Sequence, residues 1–392
     1  MFFSLPVFTY HSISRHKDGL CVSPELFEEH CRTLADDGWR GVSLYEAEEY
    51  FLNGTPLAPK SCLFTFDDGY LDNYVYAEPI LRRYGHHGIM FPVLNMLESH
   101  DKLRPTMEDA SCGKDLKRFF DAVNKRKRVW RGGRVVEHIH FCSWQEVKHM
   151  QDNGNLCVAP HSLRHDRVIC GLSFRRLNWP KRRPKGFFSV PPYDAPLGFP
   201  LFDNGHFLTE RAYTLNPELF EIIKETVPQQ PRAAKRFAAN RNMTELIRQK
   251  LREVPALGTQ ESIAAQRERI AKEFMECQRI FKEQLGVTAR SFCWPWGDST
   301  PMALEEAQKA GFSVFFTTTP GPNPPGSPLR VHRQTVRGGS GKKLLTGTYM
   351  TANTLTSACH AFCTNTINEI SDKMKKKKKK KRSFHCASLN IL

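Results

Sequence analysis

The chain has 392 residues, room for one large α/β domain or two medium ones with a substantial core. Its 40% hydrophobic and 25% charged content excludes a disordered or fibrous chain, and no stretch reaches the ~18 apolar residues that a membrane-spanning helix needs. The net charge of +16 is unevenly placed: from Ser340 onward eleven basic residues stand against two acidic ones, which leaves about +7 (16 − 9) for the first 339 residues. Twelve cysteines are scattered without a C-x-x-C pair. Cys62, Cys157 and Cys293 fall in expected core strands, where a reduced thiol behaves as a small hydrophobe. The opening "MFFSLPVFTYHSIS" has no basic segment and no cleavage-like site. As written the sequence reads as cytoplasmic, with an exported or cell-envelope location following only if the gene starts upstream.

The first third alternates as βα units. "LPVFTY" reads as a strand, and "SPELFEEHCRTLADDG" as a helix with Ser23 as N-cap, Pro24 at its first position and Gly38 as stop signal. Ser43 opens "LYEAEEYFLNG"; then follow the strand "SCLFTF", the helix "NYVYAEPILRRYG" and the strand "GIMFPV". Residues 98–142 are a charged excursion containing "NKRKRVWRGGR", with a turn at Gly132 and Gly133. Ser143 with Glu146 forms a capping box for "WQEVKHMQDNG", before the strand "LCVAP". Residues 166–240 are rich in Pro, Gly and Arg and read as an irregular insertion. The helix "SIAAQRERIAKEFMECQRIFKEQLG", the strand in "ARSFCWPWG", the helix opened by Thr300 and Pro301, and the strand "FSVFFTT" complete the pattern. Strand, helix, strand with short connections predicts a parallel sheet or barrel. Beyond Ser340 the periodicity fades and Lys375 to Lys381 form a homopolymer run, so 340–392 is expected as a disordered basic tail after a domain of residues 1–339.

The chemistry gathers in two places. In "LFTFDDGY" a buried apolar strand ends in Asp67 and Asp68. Adjacent carboxylates there call for a cation, a shared proton or a helix N-terminus beside them. The apolar run "LCVA" is followed by "PHSLRH", whose His161 and His165 are four apart and fall on one side of a turn. Two histidines and a carboxylate are a common ligand set for a catalytic metal. Both groups end strands, and in a parallel barrel all strand C-termini face one mouth.

"TFDDGY", "HSLRH" and "WPWG", in this order, resemble the first three motifs of the polysaccharide deacetylase (NodB-homology) carbohydrate esterases. The opening "FTYHSIS", with "VSPELFEEHCRTLADDGW" and "APKSCLFTFDDGY", is similar more narrowly to the permuted branch related to poly-N-acetylglucosamine deacetylases. The resemblance implies a distorted parallel (β/α)7-type barrel, α/β in class, with the two insertions and the tail outside the likeness. It implies Asp68, His161 and His165 as ligands of a divalent metal, zinc first and cobalt, nickel or iron as alternatives. Asp67 is then the general base, His11 the general acid and the backbone N–H of Trp296 the oxyanion donor, with Trp294, Pro295 and Tyr70 against the substrate. His332 competes with His11 for the acid's role. One position departs from the family: Cys293 stands where many members have an arginine that orients the base, and Arg330 or Arg333 is expected to substitute.

The implied reaction is hydrolysis of N-acetyl groups from an amino-sugar glycan. Hydrolysis of a non-sugar amide on the same scaffold is the alternative. A third reading is a basic protein that binds nucleic acid or anionic membrane surfaces through the tail. No folded nucleic-acid motif accompanies the lysine run, so no specific nucleic-acid partner is expected.

Overall fold

The computed structural model describes residues 4–16, 19–109, 114–124, 127–131, 134–138, 140–179, 195–239 and 241–338. The tail from residue 340 on, with Lys375 to Lys381, and the turn glycines Gly132 and Gly133 lie outside the described residues.

Seven short parallel strands carry the site, numbered here β1 (Val7–Tyr10), β2 (Ser61–Asp68), β3 (Gly88–Pro92), β4 (Leu156–Val158), β5 (Ser291–Cys293), β6 (Val314–Phe316) and β7 (Gln334–Thr335). Regular parallel pairing joins β7, β1, β2, β3 and β4 in that order, with Tyr10 opposite Phe66 and Asp68 opposite Pro92. β5 pairs with β6. The two sets meet at two seams: Cys293 N–H donates to Pro160 O at 3.1 Å, and Val331, just before β7, donates from N–H to Phe315 O at 2.7 Å and accepts at its O from Thr317 N–H at 2.9 Å. The hydrogen-bonded path therefore returns to its start through these two short seams.

Alternation sorts the side chains into two cores. Val7, Leu63, Ile89, Cys293, Val314 and Val331 belong to one buried cluster, contributed by strand after strand around the ring, and this is the barrel interior. Their neighbours of opposite parity, among them Phe8, Phe64, Met90, Phe292, Trp294 and Phe315, belong to the larger cluster under the helices.

The helices begin where the capping residues say they should. Ser23 caps α1 (Pro24–Asp36), and Ser43 and Ser143 form full capping boxes with Glu46 and Glu146 for α2 (Leu44–Asn53) and, further on, the helix Trp144–Asn153. The expected helix after β2 is split: Asn73–Ala77 is π-helical and only α3 (Glu78–Arg83) is α-helical. Pro79 accounts for this, since it has no N–H for the i−4 carbonyl and its ring crowds the preceding turn. Helix Trp144–Asn153 is α4, Ile263–Leu285 is α5 and Pro301–Lys309 is α6.

The two insertions carry more regular structure than their composition suggests. In the first, strands Lys127–Arg131 and Arg134–His138 pair antiparallel after helix Lys114–Val123. In the second, Arg167–Leu177 pairs antiparallel with Pro200–His206 and helices Glu218–Thr226 and Pro231–Ala238 follow; helix Met243–Leu251 packs with them, so the insertion runs past the expected end at residue 240. Phe199, Phe202, Leu219, Ile223 and Ile247 are among the residues of a third core separate from the other two. Among the described residues no helix is long and apolar enough to cross a membrane.

Candidate active site

β2 ends in the paired carboxylates. Asp67 has inner-face parity with Thr65 and Leu63, whereas strict alternation would send Asp68 to the helix side. It does not go there, because Asp68 has φ 78° and Gly69 φ 80°, and the chain turns at the strand end. Gly69 is required at this turn: a Cβ on it would sit 2.7 Å from Pro92 Cβ and 2.9 Å from its Cα.

Asp68 faces the two histidines. His161 Nε2 lies 3.8 Å and His165 Nε2 3.9 Å from Asp68 Oδ1, and all three residues are buried. These separations are close to the ~3.4 Å edge of a tetrahedron with ~2.1 Å metal–ligand bonds. The loop is held at several points. His161 Nδ1–H donates to Cys293 O at 2.8 Å, which leaves Nε2, on the Asp68 side, as the atom that could ligate a cation. Leu163 N–H donates to the buried Glu273 of α5 at 2.8 Å, and His165 N–H to Ser162 Oγ at 2.9 Å. Burial holds both imidazoles below their ordinary pKa, His165 well below, so both favour the neutral form that ligates a cation. Asp68, His161 and His165 thus fit a divalent metal by donor type, spacing and protonation state.

Asp67 is clamped instead by Arg333. Arg333 donates to Oδ1 at 2.7 Å and to Oδ2 at 2.8 Å, and is itself 1% exposed. Its remaining donors reach Thr317 O at 2.7 Å, Thr65 Oγ1 at 3.1 Å and Cys293 Sγ at 3.0 Å. Burial alone would raise the Asp67 pKa, but the guanidinium charge beside it, with His161, holds the carboxyl well below its usual range. Arg333, and not the exposed Arg330, is therefore the arginine beside Asp67. The small Cys293 side chain leaves room for the guanidinium; burial pushes its thiol well up, so it stays protonated.

His11 follows β1 directly, with Nε2 4.0 Å from Asp67 Oδ2 and a side chain 15% exposed. His332 adjoins Arg333 and so has the opposite parity; its Nδ1 bonds Thr319 O at 3.0 Å. Trp296 sits at φ 56°, ψ 4°, a left-handed conformation that costs a bulky residue about 1–2 kcal/mol. Its carbonyl accepts from Thr318 Oγ1 at 3.0 Å, and Pro295 beside it is buried. Tyr70 is 6% exposed and stacks on Phe141 at 5.5 Å.

The expectation that the Trp294 indole meets a sugar is corrected here. Trp294 is 1% exposed and packs against Phe274, Phe292 and Phe315 on the helix side of the barrel. Strand alternation is the reason: Cys293 takes the inner face, so Trp294 cannot.

Three residues beside the site were not anticipated. His206 stacks on Trp296 and pairs with Asp298 at 2.8 Å, and the Arg167 guanidinium lies 5.3 Å from the Trp296 ring. Arg167 and His206 belong to the second insertion, whose composition carries no periodic signal pointing at the barrel mouth.

Residues 54–183 match the model of the polysaccharide deacetylase family. YxkH of Bacillus subtilis (strain 168) is 38% identical over 89 residues, 23% of this chain and 32% of that protein. The poly-beta-1,6-N-acetyl-D-glucosamine N-deacetylase of Escherichia coli (strain K12) is 20% identical over 302 residues, 77% of this chain and 31% of that one. The chain thus spans about a third of the length of these curated relatives. The solved de-N-acetylase from Aggregatibacter actinomycetemcomitans shares the fold at TM-score 0.54 and 18% identity, over 90% of this chain and 99% of that one. The family match runs from before β2 to beyond the His161–His165 loop, so the part of this chain that is similar to the polysaccharide deacetylase family holds the clustered carboxylates and imidazoles.

Proposed function

We propose that the chain is a metal-dependent hydrolase that removes N-acetyl groups from an amino-sugar glycan, releasing acetate and a free amine. The observation that carries this reading is one juxtaposition: an anionic Asp67, its two oxygens clamped by Arg333, beside the Asp68, His161 and His165 triad. A purely structural ion pair has no use for a neighbouring ligand triad, and a purely structural metal site has no use for a second carboxylate held apart from it.

A divalent cation held by Asp68, His161 and His165, zinc being the best match to this donor set, would supply Lewis acidity toward water and the acyl oxygen. The chain's own residues account for the protons and the geometry. Asp67 takes the proton of the attacking water, and Arg333 keeps it ionised and aimed while it waits. The strong clamp makes Asp67 a weak base, which suits a water already acidified at the site. The backbone N–H of Trp296 donates to the acyl oxygen as charge builds there. His11 gives its proton to the leaving nitrogen, because an amine leaves readily only when protonated. One C–N bond breaks and one C–O bond forms.

The test is acetate release from N-acetylglucosamine oligomers by protein stripped of metal and then reloaded with zinc, cobalt, nickel or iron, alongside Asp67→Asn. Metal-dependent release, reduced at least about a hundredfold in Asp67→Asn, is the expected result. Stoichiometric metal without acetate from any oligomer would turn the assignment to a non-sugar amide, and failure to bind metal would end it.

A further inference from the structure

The second insertion reaches the site at one place. Arg167 and His206 are direct cross-strand partners at the barrel-proximal end of the hairpin formed by Arg167–Leu177 and Pro200–His206. The His206 ring lies flat on the Trp296 indole, with centroids 4.3 Å apart and planes inclined by 10°. Arg167 brings its guanidinium to 5.3 Å from the same ring. His165 meets that indole edge-on, at 4.0 Å and 61°. His206 Nδ1 is in turn 2.8 Å from Asp298 Oδ2, two residues beyond Trp296, so the hairpin holds the turn both by stacking and by a hydrogen bond.

Trp296 needs such support. It is a bulky residue in left-handed backbone, and Gly297 follows at φ 78°, where a Cβ would lie 2.2 Å from Thr318 Oγ1. Two successive left-handed residues persist only when the surroundings fix them. Ring stacking and a guanidinium over an indole are each comparable in size to the cost of one such residue. We infer that His206 and Arg167 are positioning residues, which hold the Trp296 indole against His165 and thereby fix both the turn that presents the Trp296 N–H and the ring orientation of one histidine of the triad. This rests on the deacetylase reading, and it gives the insertion a role in the reaction although neither residue touches a reacting atom.

The experiment compares His206→Ala with His206→Phe, which keeps a flat ring but not the bond to Asp298. Expected is a roughly tenfold fall in kcat for acetate release in His206→Ala with KM little changed, and recovery to within about threefold in His206→Phe. The visible absorption of the cobalt-loaded protein, which reports the geometry of His165, should change in His206→Ala and return in His206→Phe. Acrylamide quenching of the Trp296 signal, taken as the difference from Trp296→Phe, should rise in His206→Ala alone. Unchanged kcat in His206→Ala, equal losses in both variants, or a loss that only follows a fall in Tm would overturn the clamp. Should the parent release no acetate from any oligomer, the proposed reaction fails by itself. Quenching and the cobalt spectrum then judge the clamp, which an unaltered His206→Ala would sink.

Discussion

At the residue scale the site turns on a buried ion pair that cannot be halved. Arg333 and Asp67 are both almost inaccessible to water, and each spends its charge on the other. Removing one partner leaves the other as an uncompensated charge in a low dielectric, which costs about 3–5 kcal/mol, whereas replacing both by well-shaped neutral groups is often close to neutral. We therefore expect Arg333→Ala to lower the urea unfolding free energy by that amount, and Arg333→Met combined with Asp67→Asn to recover most of it. Simple additivity of the single changes would contradict the pairing. Arg330→Ala, on the exposed side, should leave stability and acetate release unchanged. The sequence offered Arg330 and Arg333 on equal terms. Arg330 ends the 3-10 turn Pro328–Arg330 on the exposed side, whereas Arg333 directly precedes β7, and no periodic signal marks where the turn gives way to the strand.

At the element scale, legibility follows the local signal. Ser23, Ser43, Ser143 and Thr300 each cap a helix that begins at the next residue, because capping is a contact between residues three apart and needs no tertiary partner. The roles of His86 and Glu273 were invisible for the opposite reason, since each bonds backbone far away in sequence. His86 accepts from Gly41 N–H at 3.0 Å through Nδ1 and donates from Nε2 to Cys31 O at 2.9 Å, tying the start of β3 to α1 and to the segment before α2. This pattern needs the neutral ring, and burial lowers the His86 pKa from its ordinary 6.5. A depressed histidine pKa means that the unfolded chain takes up the proton first, so the contribution is complete above pH 6.5 and is lost as pH falls below it toward the folded value. The urea midpoint should thus decline between pH 7 and pH 5 more steeply in the parent than in His86→Leu. That variant should already be about 1–3 kcal/mol weaker at pH 7, because Gly41 N–H and Cys31 O lose their partner. Parallel pH profiles for the two proteins would dismiss the role.

At the scale of the whole molecule, the regular βα rhythm of the first third predicted a parallel sheet or barrel without choosing between them, because the closure was hidden. β5, β6 and β7 are two or three residues long, and the seams at Pro160 and Val331 are too short to leave a periodic trace. The third core, in the second insertion, was hidden because turn residues mask the spacing of its apolar positions. The barrel's own interior is meanwhile interrupted at its mouth by Asp67, Asp68, His161, His165 and Arg333, all buried. Polar groups gathered there at the expense of apolar packing make the fold depend on what neutralises them. Arg333 balances Asp67, and a cation held by Asp68 with the two imidazoles, as proposed, would balance Asp68. A metal that binds only the folded state adds RT ln(1 + [L]/Kd) to stability, about 4 kcal/mol at a thousandfold excess over Kd. Zinc added to stripped protein should therefore raise Tm by several degrees in proportion to the logarithm of its concentration. Asp68→Asn should abolish that response, while Asp67→Asn, outside the ligand set, retains it. A thermal shift that survives Asp68→Asn would place the metal elsewhere, and with it the chemistry assigned to this mouth.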